Sequence, residues 1–200
     1  SMVTLVDPHG HQVVKAFLTT EECNTIAPKL LRDEHKILRI PNSSTTPYNG
    51  TTKQFQVYNI LTHGDIRPLN IPQRLLDLPQ LQHLDELWIQ AWVNISHLGD
   101  SITKHTHNDP KDESQGLIAC SVYLQGHGAN YTHFEDTGKT LNVQGDLHMV
   151  GEFLEHEVRK NLTNIPRVSI AFDIHVEMPD DVMTSKEYTK RFRYYKRPSV

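Results

Sequence analysis

Potential metal-binding side chains are concentrated in one part of the sequence. Six of the thirteen histidines fall between positions 97 and 148. In this stretch, His107 and Asp109 stand two residues apart, and alternate residues of an extended strand point to the same side. His156 supplies a third candidate from a more distant segment. Two imidazoles and one carboxylate form the donor set of a mononuclear iron centre with open coordination positions. The pattern therefore predicts a metal site made of His107, Asp109 and His156.

A candidate anion site follows eleven residues after His156. Arg167 and Ser169 open an alternating segment, so both side chains lie on one face if the segment is a strand. An arginine presents a rigid fork of donors that matches a carboxylate, and a serine hydroxyl adds one further donor. The pair predicts a binding site for the carboxylate of a small-molecule ligand.

Helices are predicted in the first part of the chain. Thr19 is a suitable N-cap for a helix with an acidic first turn, Glu21 and Glu22. Residues 41–50 have the composition of a loop, and 54–61 are predicted to form a strand. Leucines at helical spacing predict a helix over 72–87, interrupted near Pro79.

Strands are predicted in the second part. Segments 88–96 and 168–176 alternate between apolar and polar residues, and 116–124 is an apolar run of strand length, with shorter strands expected at 140–143 and 151–158. The fold class is mainly β with N-terminal helices, as a sandwich or jelly roll. We divide a single domain of 1–200 into helical support (1–87), β core (88–177) and a basic tail (178–200). The tail is expected to be a helix packed on the sandwich, and a substrate-docking or oligomer contact is the alternative.

Composition excludes several classes of protein. A hydrophobic content of 37% and a net charge of −4 are ordinary for a globular protein and argue against a dedicated nucleic-acid binder. No apolar run is long enough for a membrane span, and no signal peptide is recognised. Cys23 and Cys120 are expected to be reduced thiols, which favours a cytoplasmic protein. The sequence does not indicate whether the protein is a monomer or an oligomer.

Taken in order, the motifs resemble the prolyl-4-hydroxylase-like branch of the 2-oxoglutarate/Fe(II) oxygenases, including small bacterial and phage proteins of that superfamily. The resemblance covers roughly residues 88–177. The matching elements are Trp92-Val93-Asn94, Gly99, His107-Asn108-Asp109, Tyr123-Leu124, His156-Glu157-Val158 and Arg167-Val168-Ser169.

This resemblance implies a double-stranded β-helix and a particular reaction. Fe(II) and 2-oxoglutarate would be the cofactors, O₂ the cosubstrate, and ascorbate a possible addition. Decarboxylation to succinate and CO₂ would be coupled to hydroxylation of a substrate C–H bond. The resemblance also implies that Tyr123 lines the cosubstrate pocket. The substrate is expected to be a peptidyl residue such as proline, or a small molecule, entering between residues 41–52 and 127–136.

Two alternatives remain open. Close relatives often carry His-x-His, so His105 competes with its neighbours as a ligand, and a cupin would use His105, His107 and His156. A cupin would leave Arg167 and Ser169 without a role. The second alternative is a β-sandwich binding module without catalysis, which would not need an intact set of ligands.

Overall fold

Two antiparallel β-sheets face each other, and helices cover the outer face of the larger sheet. The computed structural model describes residues 6–38, 52–53, 59–126, 130–177 and 192–199. The predicted loop at 41–50, most of the predicted strand at 54–61 and most of the basic tail lie outside these residues.

The helices are short and the strands dominate. The helices are α1 (Thr20–Arg32), α2 (Glu34–Leu38) and α3 (Ile71–Leu76), with 3₁₀ turns at Ile60–Thr62 and Arg67–Leu69. The strands are β1 (His11–Val14), β2 (Thr52–Lys53), β3 (Glu86–Ser96), β4 (Ile102–His105), β5 (Leu117–Gln125), β6 (Tyr131–Phe134), β7 (Gly138–Leu141), β8 (Leu147–Gly151), β9 (His156–Val158), β10 (Arg167–His175) and β11 (Arg193–Lys196).

Non-consecutive strands are neighbours in both sheets. The larger sheet has the order β1-β8-β5-β10-β3-β11, with β2 also paired to β3, and the smaller has the order β4-β9-β6-β7. Within the larger sheet, β10 is the central strand and pairs along its whole length with β3. Strands β1 and β11 belong to this sheet, although both lie outside the predicted β core of 88–177.

Strand alternation gives the larger sheet one apolar face and one mixed face. On β10, Val168, Ile170, Phe172 and Ile174 are fully buried in the main core. Burying side chains of this size contributes about 1.5–3 kcal/mol each. The other face of β10 carries Arg167 and the residues that alternate with it, and these point towards the smaller sheet.

Helix α1 covers the apolar face for reasons visible in its sequence. Thr19 Oγ1 accepts a hydrogen bond from the backbone N–H of Glu22, whose carboxylate accepts one from the backbone N–H of Thr19. This capping box satisfies two donors at the helix start. The buried stripe of Cys23, Ile26, Ala27 and Leu30 then joins the main core. The predicted N-cap is confirmed.

The strand predictions at 88–96, 116–124 and 168–176 are confirmed within one or two residues. The predicted helix over 72–87 is wrong beyond Leu76, because turns follow α3 and Leu87 is a buried strand residue. The predicted strand at 151–158 is interrupted: Gly151 ends β8, residues 152–155 are not strand, and His156–Val158 form β9. The tail prediction of a helix is wrong at β11, which pairs with β3 instead. None of the described helices combines the length and apolar character needed to span a bilayer.

Candidate metal and cosubstrate site

Three histidines meet in the gap between the two sheets. His105 ends β4 and His156 begins β9, and the two residues form a cross-strand pair. His107 follows two residues after β4, and its Nε2 lies 3.3 Å from Nε2 of His156, with the two rings stacked at 7°. One ligand atom from each of the three side chains fits within a group no wider than 4.8 Å. Such a group can hold one metal ion.

The orientation of each ring is set by a contact of its Nδ1 atom. Nδ1 of His105 lies 2.7 Å from the carbonyl oxygen of Thr103, and Nδ1 of His156 lies 2.9 Å from that of Leu154. A carbonyl oxygen can only accept, so each Nδ1 carries the proton and each Nε2 is the unprotonated nitrogen. Nδ1 of His107 lies 3.2 Å from a carboxylate oxygen of Asp173.

Burial keeps the imidazoles of His105 and His156 in the neutral form that binds metals. Desolvation, together with His107, lowers the pKa of His105 to about 4. Desolvation and the neighbouring His107 and His105 also place the pKa of His156 well below its ordinary value. At neutral pH both rings are therefore unprotonated, and no competing proton must be displaced when a metal binds.

The structure places Asp109 away from the other predicted ligands. Its side chain is exposed and accepts a hydrogen bond from the backbone N–H of Lys111, and its carbonyl accepts one from Asp112. Strand β4 has already ended at His105, so the alternation that would align His107 with Asp109 does not extend to these residues. Asp109 is a turn residue, and His105 takes its place beside His107 and His156.

A buried glutamate shapes the segment that carries His107. The carbonyl of Glu152 accepts hydrogen bonds from the backbone N–H groups of His107 and Asn108. Its carboxylate, in a residue only 1% exposed, accepts from the hydroxyl of Ser114 and the backbone N–H groups of Gln115 and Leu117. Sequence reasoning missed Glu152, because a single glutamate at the end of a strand gives no signal of buried contacts.

Arg167 is buried without a carboxylate partner among the described residues. It is 8% exposed, and its guanidinium donates to Asn130 Oδ1, Ser96 Oγ and the carbonyl of Arg159. Desolvation lowers its pKa from the ordinary value. A buried cation held only by neutral acceptors is poorly compensated, which makes it a favourable site for an anionic ligand.

Ser169 and Tyr123 line the same cavity as Arg167, a position that the strand pattern indicates for Ser169 and that the family resemblance implies for Tyr123. They form a cross-strand pair between β10 and β5, and both face the cavity with Arg167. Burial raises the pKa of Tyr123 to about 12, so its hydroxyl keeps its proton and can donate to an anion. That hydroxyl has no hydrogen-bond partner of good geometry among the described residues.

One cavity of about 260 Å³ connects the two sets of side chains. Its floor is the mixed face of the larger sheet and its roof is the smaller sheet. The three histidines, Arg167, Ser169 and Tyr123 all line it. Of the region predicted to frame the entrance at 127–136, Thr132 and Phe134 line the cavity.

The cavity also contains two side chains that were not predicted as functional. Asp173 stands on the same face of β10 as Arg167 and Ser169, because residues 167, 169, 171 and 173 alternate regularly. The alternation of the sequence over 167–175 already placed Asp173 on the same face as Arg167. His148 on β8 also lines the cavity, and both of its buried ring nitrogens lack a hydrogen-bond partner among the described residues.

A second group of potential ligands, Asp33, His63 and Asp65, has a different explanation. Arg32 donates to both carboxylates, and Lys29 and Lys36 lie within 4.0 Å of them. These cations already compensate the carboxylates. The group is therefore an ion-pair network that joins the end of α1 to the turn that follows the 3₁₀ segment Ile60–Thr62.

Fold and cavity together define a jelly-roll protein with a three-histidine centre and a buried arginine facing the same space. Solved structures share this fold. A prolyl-4-hydroxylase from Pseudomonas putida is 16% identical, with a TM-score of 0.60 over 84% of this chain and 92% of that one. The non-heme alpha ketoglutarate dependent epimerase SnoN is 14% identical, with a TM-score of 0.59 over 84% and 78%.

HygX from Streptomyces hygroscopicus, solved with nickel and 2-oxoglutarate bound, is 12% identical, with a TM-score of 0.57 over 84% of this chain and 83% of that one. No family model matches the sequence, and no curated protein matches it. The similarity to the solved structures confirms the predicted jelly-roll fold.

Proposed function

We propose that this protein is an Fe(II)- and 2-oxoglutarate-dependent oxygenase that hydroxylates a C–H bond of its substrate. His105, His107 and His156 hold the metal, and Arg167, Ser169 and Tyr123 hold the distal carboxylate of 2-oxoglutarate. The observation that carries the proposal is the shared cavity, in which three imidazoles converge and a buried guanidinium has no carboxylate partner among the described residues. Structures with this fold include one that contains nickel and 2-oxoglutarate.

The donor set fits Fe(II). Imidazole nitrogens are suitable ligands for this ion, and three of them leave coordination positions for a bidentate keto acid and O₂. When bound, the iron and its cosubstrate supply the oxidative chemistry for attack on an unactivated C–H bond.

The chain's own residues would orient the metal ligands, bind 2-oxoglutarate and exclude water from the cavity. Thr103 and Leu154 fix the rings of His105 and His156, so that the ligand nitrogens are positioned before the metal arrives. Arg167 fixes one end of 2-oxoglutarate through paired, charge-assisted hydrogen bonds. Phe134 and Val158 close the roof with apolar surface, which keeps the cavity dry around the reacting groups.

The substrate is proposed by class only. A peptidyl residue such as proline, or a small molecule, is compatible with the fold, since the solved structures with this fold include a prolyl-4-hydroxylase and the epimerase SnoN from nogalamycin biosynthesis. Both cysteines are buried free thiols, in accord with the proposed cytoplasmic location.

A second candidate is a three-histidine metalloenzyme of the cupin kind, which does not use 2-oxoglutarate. The convergence of His105, His107 and His156 favours it. It gives no role to Arg167 and Tyr123, which line the same cavity, and we therefore rank it second.

An anaerobic titration separates the two functions. Apoprotein is loaded with Fe(II), 2-oxoglutarate is added, and the visible charge-transfer absorption of the chelated keto acid is recorded. Saturable absorption, followed by succinate formation when O₂ is admitted, supports the oxygenase. Tight Fe(II) binding without that absorption supports the three-histidine alternative. Absence of metal binding contradicts both and leaves the binding module.

A further inference from the structure

A buried carboxylate lies one imidazole ring away from the three-histidine group. Asp173 is 5% exposed, and its Oδ2 accepts a hydrogen bond of 2.9 Å from Nε2 of Gln90, its cross-strand neighbour on β3. Its Oδ1 lies 3.2 Å from Nδ1 of His107 and has no aligned hydrogen bond among the described residues. The distance is that of a hydrogen bond, although the contact lacks the alignment of one.

No lysine or arginine in the described residues forms an ion pair with Asp173. The contrast is Asp146, another buried aspartate, which pairs with Lys15 Nζ at 2.9 Å and accepts from the backbone N–H of Ala16. A buried carboxylate without a cation is strongly destabilising. The position of Asp173 behind His107 suggests that its cation lies on the other side of that ring.

We propose that Asp173 is a positioning residue of the metal centre. Its carboxylate accepts the Nδ1 proton of His107, fixes the tautomer that turns Nε2 towards the metal, and supplies negative charge that three imidazoles lack. The proposal rests on the proposed function only in requiring that the three histidines bind a metal.

The geometry assigns Asp173 to this role and excludes it as a direct ligand in this arrangement. Its oxygen faces Nδ1 of His107, whereas Nε2 of the same ring faces His156 at 3.3 Å. The ring therefore stands between the carboxylate and the converging nitrogens. Gln90 holds the second carboxylate oxygen and keeps the first one directed at His107.

Two substitutions separate orientation from charge. Asp173→Asn removes the charge and keeps an oxygen that can accept from Nδ1, whereas Asp173→Leu removes both. The matched control is Asp146→Asn, which alters a buried aspartate directly before β8 and outside the cavity. Affinity for Co(II) and Fe(II) is measured in full-length protein by anaerobic chelator competition, and apoprotein stability is measured by urea unfolding.

Loss of an outer hydrogen-bond partner of a metal-bound histidine lowers metal affinity by about 10–100-fold. We expect about a 10-fold loss for Asp173→Asn and about a 100-fold loss for Asp173→Leu. The urea midpoint of the Asp173→Asn apoprotein should stay the same or rise, because an uncompensated buried charge is removed. Asp146→Asn should lower the midpoint and leave metal affinity unchanged.

A positioning role lowers metal affinity without lowering the urea midpoint, whereas a purely structural role lowers the urea midpoint. Two outcomes would overturn the positioning role while the metal centre stands. The first is that Asp173→Asn binds metal as tightly as wild type. The second is that Asp173→Asn and Asp146→Asn lower the urea midpoint equally and also lose the same metal affinity. If the wild-type protein binds neither metal, the positioning role and the proposed function are overturned together.

Discussion

His107 and His156 lie with their rings stacked at 7° and their Nε2 atoms 3.3 Å apart, although 49 residues separate them in the chain. His107 follows β4 and His156 begins β9, and these two strands are neighbours in the smaller sheet. At this distance the two nitrogens either share a tautomer-dependent hydrogen bond or face a common cation. Because His105 lies beside them, the pair belongs to a group of three side chains that can hold a metal ion.

The ligand set can be tested with two neighbouring substitutions. We expect His105→Ala to weaken Fe(II) binding by at least about 100-fold, or about 2.7 kcal/mol, because one of three ligands is lost. Asp109→Ala should change it by less than about 2-fold, as is usual for an exposed turn residue. Anaerobic titration with Fe(II) measures both. A metal site lost in Asp109→Ala and kept in His105→Ala would restore the assignment made from the sequence.

Cosubstrate binding should depend on the shape of Arg167 as well as on its charge. Removing one partner from a buried, charged hydrogen-bonded pair costs about 2–5 kcal/mol, so we expect Arg167→Leu to weaken 2-oxoglutarate binding by roughly 100-fold or more. Arg167→Lys keeps the charge and loses the fork, and a loss of about 10-fold is expected. Metal affinity should be unchanged in both.

The control for these variants is Arg159→Leu. The Arg159 side chain is 70% exposed, and only its carbonyl contacts Arg167. Its substitution should leave 2-oxoglutarate affinity within about 2-fold of wild type. An equal loss in this variant would mean that general surface charge, rather than the buried guanidinium, attracts the cosubstrate.

Acid should destabilise the apoprotein through His148. Desolvation, aided by nearby His11, lowers the pKa of His148 from 6.5 to about 4. The unfolded chain therefore binds more protons than the folded one below pH 6.5, and the stability due to neutral His148 is lost as pH falls through 4. At about 1.4 kcal/mol per pKa unit, we expect its share of the loss to be about 3 kcal/mol.

The variant His148→Leu tests this assignment by urea unfolding at pH 7 and pH 4. It should raise the free energy of unfolding at pH 7 by about 1 kcal/mol, because two unpartnered buried nitrogens are removed. It should also lose less stability than wild type between these pH values. An unchanged acid dependence would assign the effect to the other buried histidines.

Glu152 should stabilise the fold and the metal site together. Its carboxylate accepts from Ser114, Gln115 and Leu117, so Glu152→Gln leaves part of this buried network unsatisfied. We expect a loss of about 2 kcal/mol in the free energy of unfolding. Fe(II) binding should also weaken, since the carboxylate accepts from the side chain of Asn108, the neighbour of His107. Glu155→Gln, at a side chain 41% exposed, is the control and should change neither. Equal stability of both variants would contradict this role.

The sequence by itself determined the features that repeat locally. Alternation over 88–96 and 168–176 predicted β3 and β10, and the same period placed Arg167 and Ser169 on one face. The Thr19 capping box and the buried stripe of α1 were also readable, because both depend on residues three or four positions apart. His107 and His156 were identified as candidates, and the structure brings them together.

Only the tertiary structure decided which third residue joins them. His105 and Asp109 both stand two residues from His107, and residue type favoured Asp109, because a carboxylate completes the usual donor set of two imidazoles and one carboxylate. The choice depends on where β4 ends: pairing with β9 holds His105 opposite His156, whereas the chain beyond His107 is held by Glu152 and turns outwards at Asp109. Asp173 and Glu152 likewise acquire their surroundings from strands far away in the chain, because burial and charge compensation arise only when the sheets pack.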